Sequence, residues 1–313
     1  MCEKKIEILN NAKIEIQKFI STIDKSFQKE TMEHLKTFIT NFSNVKEWCI
    51  SSDYCFDDKT KKNSTIAFSV FPYSDIYYLK DAIKQEIPKD VKDIKSISKR
   101  TLKYLKEFPY FFNFVFIIND DYTINYKQIY KNCIEIIKTN NMNNALTNSK
   151  YFERLKKYNS SSFRKKLFAH IYIIATLASY IMVLVLRLNS NINKNLWIPD
   201  RGDSASAYSE ILFDLYKINF DILKNIYNIS PQITNGITKE DPKTHKFDFD
   251  ELIRIPDYYA GTIASFDLKK ISINEKHKNM FLDTIVDNNR FALFEFNISQ
   301  QKTLIKNICI NKK

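Results

Sequence analysis

Hydrophobic residues recur along this chain at two spacings, and those spacings lay out its elements. Over residues 3 to about 42, Ile6, Leu9, Ile16, Phe19, Ile20 and Ile23, and then Met32, Leu35, Phe38 and Ile39, return every three or four positions, which predicts helices. Trp48 to Tyr54 and Thr65 to Phe71 are short and β-prone, and the charged stretch Cys55 to Ser64 between them reads as the loop of an antiparallel hairpin. Residues 74 to 108 return to helical patterning, broken near Pro88. Tyr110 to Ile118 is a bulky apolar run typical of a buried strand, ended by Asn119, Asp120 and Asp121. Tyr126 to Lys138 predicts another helix, and the Asn-rich stretch Asn140 to Ser149 is the candidate internal linker.

Leu167 to Leu186 is 20 residues without Lys, Arg, Asp or Glu, long enough to cross a bilayer. His170, Thr176, Ser179 and Tyr180 interrupt it, however, and the centre of a large domain requires the same all-round apolar helix, so burial is the favoured reading over a membrane span. Leu196 to Ile198 then forms a short strand closed by Pro199. Asp203, Ser204 and Ser206 supply N-caps for an amphipathic helix reaching about Tyr227. A polar stretch, Ser230 to Lys246, leads to a helix near Pro256, and Phe291 to Phe296 is the last predicted strand. The expected architecture is α/β: a mixed sheet flanked by helices with a long apolar central helix, spanning residues 46–313, and an N-terminal helical extension over residues 1–45.

Composition narrows the class. With 313 residues, 44% of them hydrophobic, the chain can build a substantial core, and only 3 Gly and 7 Pro exclude collagen-like and turn-dense all-β architectures. The excess of 48 Lys and Arg over 36 Asp and Glu gives a net charge of +12, which favours a polyanionic partner: nucleic acid, or an acidic surface of a larger protein complex. Ser98 to Lys106 and Tyr151 to Tyr158 mix basic and aromatic residues as a nucleic-acid surface does, but solvated helix faces give the same pattern. Five scattered cysteines without a CxxC pair suggest neither a disulfide framework nor a zinc finger. Together with an N-terminus lacking an apolar leader, they set the expectation of a reducing, cytoplasmic location. Walker A, G-x-G-x-x-G and G-x-S-x-G motifs are absent, and the four histidines are scattered.

Three carboxylate sites carry the candidate chemistry. Asp53 stands at the end of the first β-prone run. Asp200 and Asp203 flank Arg201 and Gly202 at a strand-to-helix transition, where open α/β sheets place ligands. Asp257 follows Pro256 in the first turn of a helix, where the positive helix end would keep it ionised. Read singly, these are a strand-end Asp, a turn with an N-cap, and a helix-start Asp. Read together, they are the hard oxygen ligands that Mg²⁺ or Mn²⁺ needs for phosphodiester cleavage.

In that order, hairpin Asp, strand-end Asp and late helix Asp, the chain resembles bacterial RNase H-like proteins of unknown function. Their C-terminal helix carries an Ala-Asp-hydrophobic-hydrophobic-Ala-Gly signature, matched here by Pro256-Asp257-Tyr258-Tyr259-Ala260-Gly261. The resemblance covers about residues 46 to 270. The family's first strand usually continues Asp-Glu-Ser-Gly, whereas this chain reads Asp53-Tyr54-Cys55-Phe56-Asp57-Asp58, with the last two aspartates read as decoration of a solvated hairpin. The resemblance implies a metal-dependent nuclease acting on DNA or RNA. Asp53, Asp200 and Asp257 would be catalytic and metal-binding, Asp203 a fourth ligand, and Arg201 a contact to substrate phosphate. It also implies a setting in phage defence or mobile elements, as a toxin or effector. The competing expectation is a non-catalytic RNase H-like subunit that binds nucleic acid or a partner protein.

Overall fold

The computed structural model describes residues 20–120, 124–142, 163–229, 233–238, 248–299 and 303–310. At its centre is a mixed seven-stranded sheet with strand order β5-β4-β1-β2-β3-β6-β7. The strands are β1 (Glu47–Cys55), β2 (Ser64–Tyr73), β3 (Phe112–Asp120), β4 (Lys194–Pro199), β5 (Thr234–Ile237), β6 (Phe291–Ile298) and β7 (Thr303–Ile308). β1, β2 and β3 form an antiparallel meander; β4 joins β1 in parallel, β5 joins β4 in parallel, and β6 joins β3 in parallel. β7 closes the far edge as an antiparallel hairpin with β6.

Because side chains alternate across a strand, the sheet divides its residues between two cores. On one face Trp48, Ile50, Phe68, Phe114, Phe116, Trp197 and Phe294 meet α1 (Lys29–Asn41), α4 (Tyr126–Met142), α5 (Lys165–Leu188) and α6 (Asp203–Ile226). On the other, Cys49, Ala67, Val115, Ile198 and Leu293 meet α2 (Ile76–Glu86), α3 (Lys99–Glu107), α7 (Arg254–Ala264) and α8 (Glu275–Thr284). The long apolar helix is α5. By length and composition it could cross a membrane, but 83% of its most apolar stretch is buried inside the fold, chiefly against α6. Two of its interrupting polar residues are satisfied within the helix, Thr176 and Ser179 donating to the carbonyls of Tyr172 and Ala175 at 2.8 and 2.9 Å, while the Tyr180 hydroxyl donates to Asp24 at 2.7 Å and His170 stacks on Phe56.

The described part of the N-terminal helical preface, from Ile20 on, is built into the first core, whereas its predicted stripe from Ile6 to Phe19 lies outside the described residues. Leu35, Phe38 and Ile39 of α1 are buried there, and Thr31 donates to the Asn307 side chain on β7 at 2.7 Å. Sequence patterning located five strands and most helices. It did not anticipate β5, which lies in the polar stretch after α6, nor β7 and α8. β5 carries no buried residue and β7 has one, Asn307, so neither has the apolar alternation that announces a strand. The residue 143–149 part of the expected linker and the basic stretch Tyr151 to Tyr158 lie outside the described residues. In the other basic stretch, α3, Arg100 is held by Glu86 at 2.7 Å and Lys103 approaches Glu107, as on a solvated helix face.

Candidate carboxylate site

Two strands and one helix bring the sequence-predicted aspartates together through the parity of the sheet. Along β1, Cys49, Ser51 and Asp53 share a face; along β4, Leu196, Ile198 and then Asp200 share the same one. The parallel register pairs Ser52 with Pro199, and the Asp200 amide donates to the Ser52 carbonyl at 2.8 Å, so Asp53 and Asp200 emerge side by side where the two strands end. α7 packs on β1 and β2 over that face and supplies Asp257. Tight seating of α7 depends on Gly261, where an added Cβ would come within 3.0 Å of the Val91 side chain.

Asp53, Asp200 and Asp257 line one cleft of roughly 660 Å³, together with Asp90, Asp58, Asp250, Lys61, Lys92, Arg201, Arg254 and Lys276. A second cleft of about 530 Å³, between α1 and the β6–β7 hairpin, is lined by Glu30 and Asp287 but gathers no comparable group of carboxylates. In the carboxylate cleft, burial raises Asp53 well above the ordinary range, reinforced by the negative charges of Asp257, Asp200 and Asp90. Burial likewise pushes Asp257 up to about 7, opposed by a 2.6 Å hydrogen bond from the Val91 amide and reinforced by Asp90. This corrects the expectation that the helix start alone would keep Asp257 ionised: desolvation and neighbouring carboxylates outweigh the helix end.

Other candidates are placed differently. Asp203 is exposed on the first turn of α6 and is not among the residues lining the cleft, so it stands apart from the other three aspartates. It serves as an acidic residue at a helix start. Arg201 does line the cleft, but its guanidinium is already engaged by Asp250, at 2.9 and 2.6 Å. Asp57 pairs with Lys166, and Asp58 accepts from the Thr60 amide and hydroxyl, yet Asp58, read from the sequence as hairpin decoration, also lines the cleft. His170 stacks on Phe56 with ring centroids 3.8 Å apart, and burial lowers it to about 4, a packed neutral ring.

Sequence reasoning missed Asp90, Lys61 and Lys276. Asp90 sits just after the Pro88 break, immediately before a short 3-10 turn, Val91–Asp93, and faces the cleft because that turn packs against α7. No local periodicity marks such a residue. Cys55 also lines the cleft, but burial pushes its thiol up to about 11, so it offers no thiolate nucleophile near neutral pH. His277, hydrogen-bonded to the Thr262 hydroxyl at 2.9 Å, is lowered to about 3 by burial and stays neutral.

The donors are hard carboxylate oxygens, the chemistry that Mg²⁺ and Mn²⁺ prefer. Mutual repulsion at Asp53 and Asp257 is what a bound cation would relieve. Among the described residues, no three His, Cys, Asp or Glu stand close enough together to hold a metal ion. No protein family, curated protein or solved structure matches this chain.

Proposed function

We propose that this protein is a divalent-metal-dependent nuclease of RNase H-like architecture, hydrolysing phosphodiester bonds of DNA or RNA. One observation carries the reading: Asp53, Asp200 and Asp257, 204 positions apart at their extremes, converge on one cleft with a further carboxylate, Asp90. The RNase H-like part draws support from the β1-β2-β3 meander extended in parallel on its β1 side, with acids at the ends of β1 and β4 and on a late helix. The net charge of +12 suits a polyanionic substrate, and a nuclease in phage defence would fit the family setting that the resemblance implies.

In this reading Asp53, Asp200, Asp257 and Asp90 would hold Mg²⁺ or Mn²⁺. When bound, such an ion lowers the pKa of water and stabilises the leaving oxygen. Asp53 and Asp200 present their carboxylates from paired strand ends, which fixes them better than a loop would. Asp257, balanced near neutral pH, can hold a proton in the cleft until a cation displaces it. Arg201, oriented by Asp250, stands at the cleft wall as a donor for a neighbouring phosphate.

The test is cleavage of labelled single- and double-stranded DNA and RNA with Mg²⁺ or Mn²⁺. The wild type would be compared with Asp53→Asn, Asp200→Asn and Asp257→Asn at matched folding. Loss in all three supports a shared site; cleavage surviving in all three removes the assignment. A wild type inactive on every substrate favours the second reading, an RNase H-like binding subunit. That no three metal-ligating side chains stand close enough together among the described residues to hold an ion lends that reading its support.

A further inference from the structure

Five basic residues line the carboxylate cleft, and three stand within 4.0 Å of a carboxylate, two of them sharing Asp90. Arg201 is paired with Asp250, Arg254 lies 3.7 Å from Asp90 and donates to the Ile87 carbonyl, and Lys92 lies 3.9 Å from Asp90. Lys61 and Lys276 differ: among the described residues, neither has a carboxylate within 4.0 Å. Each ammonium is instead held by a neutral oxygen. Lys61 donates to the Ser265 hydroxyl at 2.8 Å, and Lys276 donates to the Val91 carbonyl.

Both anchors are fixed by the fold. The hairpin loop carrying Lys61 is tied to the C-terminal end of α7, where the Lys62 and Asn63 amides donate to the Ala264 carbonyl and the Asn63 side chain to those of Ile263 and Phe266. Lys276, in the first turn of α8, reaches back to the turn at Val91. The two ammoniums are near enough for Lys61 to depress Lys276, after the larger effect of burial and against the smaller opposing pull of Asp257 and Asp93. Two positive charges are thus held together, each with further N–H donors uncommitted by a side chain that has three.

Val91 joins this wall to the acids. Its carbonyl receives Lys276 while its amide holds Asp257 at 2.6 Å, so the cationic wall and the carboxylates are separated by a single residue. An anion with several oxygens would satisfy the spare donors and relieve the repulsion between the lysines.

We propose that Lys61 and Lys276 form an anion subsite in the wall of the carboxylate cleft that takes a phosphodiester phosphate of a nucleic-acid strand. The proposal rests on the nuclease reading for the identity of its anion, but binding tests it independently of cleavage. The probe is a fluorescently labelled oligonucleotide, titrated in the presence of EDTA across a range of salt concentrations. Folding is monitored by thermal melting.

Lys61→Gln/Lys276→Gln is expected to bind about tenfold more weakly at moderate salt, with a log-log salt slope shallower by about 0.7 to 0.9 for each lysine removed. Lys61→Arg/Lys276→Arg, which keeps both charges, restores the slope. Asp53→Asn loses cleavage but keeps it. Wild-type affinity and slope in the glutamine variant overturn the subsite, as does failure of the wild type to bind the probe. Lysine-dependent binding by a wild type that cleaves nothing leaves the subsite standing and removes the nuclease reading alone.

Discussion

The two faces of the sheet bury similar kinds of element but treat polarity in opposite ways. On the α5–α6 face, buried polar groups are settled in pairs: Thr176 and Ser179 bond within α5, Asn219 donates to Thr176 at 3.2 Å, and Tyr180 donates to Asp24 at 2.7 Å. On the α7–α8 face, charged groups from β1, β4, α7, α8, the hairpin loop and the Val91 turn converge on a cleft and leave acids repelling acids and lysines repelling lysines. One face is built for packing. The other gives up local electrostatic comfort to assemble groups that no single element could bring together, the usual signature of a working site.

Breaking the packing face should produce the largest change. Leu177, fully buried in α5, is replaced by alanine at a cost of about 2–5 kcal/mol, read as a fall in the chemical-denaturation midpoint. Any folded fraction should keep its cleft chemistry. Asp53→Asn sharpens the contrast from the other side. It should reduce metal-dependent cleavage at least about 100-fold, the scale of removing one group that stabilises transition-state charge, while leaving the melting temperature unchanged or higher. A large loss of stability in this variant would mean that Asp53 serves packing.

Smaller effects follow from the acids' elevated pKa values. With Asp257 near 7 in the folded protein against 3.8 ordinarily, the folded state keeps a proton that the unfolded chain releases between those values. The associated stability is therefore fully present below 3.8 and is lost as pH rises through about 7. Asp257→Asn should flatten that decline and make the protein more stable than wild type at mildly alkaline pH. The gain should be on the order of 1 kcal/mol, since the side chain still meets the cleft, and melting curves across pH would measure it. Mg²⁺ should restore stability to the wild type at the same pH and do less for the variant. A pH profile identical in both proteins would refute the raised Asp257.

The smallest and most local test is Gly261→Ala. Its Cβ would meet Val91 at 3.0 Å, against a helix-propensity gain of up to about 1 kcal/mol. Net stability should change by less than about 1 kcal/mol, while cleavage falls because Val91 positions Asp257. Unchanged cleavage would show that the Val91 contact tolerates displacement.

Much of this architecture is legible in the sequence. Trp48 to Tyr54, Thr65 to Phe71 and Tyr110 to Ile118 announced three strands because burial on one or both faces demands apolar or β-branched residues there. The Leu167 to Leu186 run announced a helix too apolar for a surface. Asp53, Asp200 and Asp257 are visible because each stands at or near an element's end, where a carboxylate can open onto a cleft. Asp203 was visible by the same rule and was misplaced by it. Local sequence does not say which of two aspartates flanking a turn points toward the sheet's other strand ends.

What the sequence determined by itself was which strongly patterned segments are helix or strand and which of their sides are apolar, since those follow from periodicity within ten or twenty residues; β5, β7 and α8, which lack that patterning, were left to the tertiary structure. Tertiary structure alone decided that the Ser52–Pro199 register sets Asp53 beside Asp200, that Asp90 and Lys276 enter the same cleft, and that Asp257 is raised rather than held ionised. Each of these depends on groups far apart in the chain, through burial and Coulomb interactions that act across space.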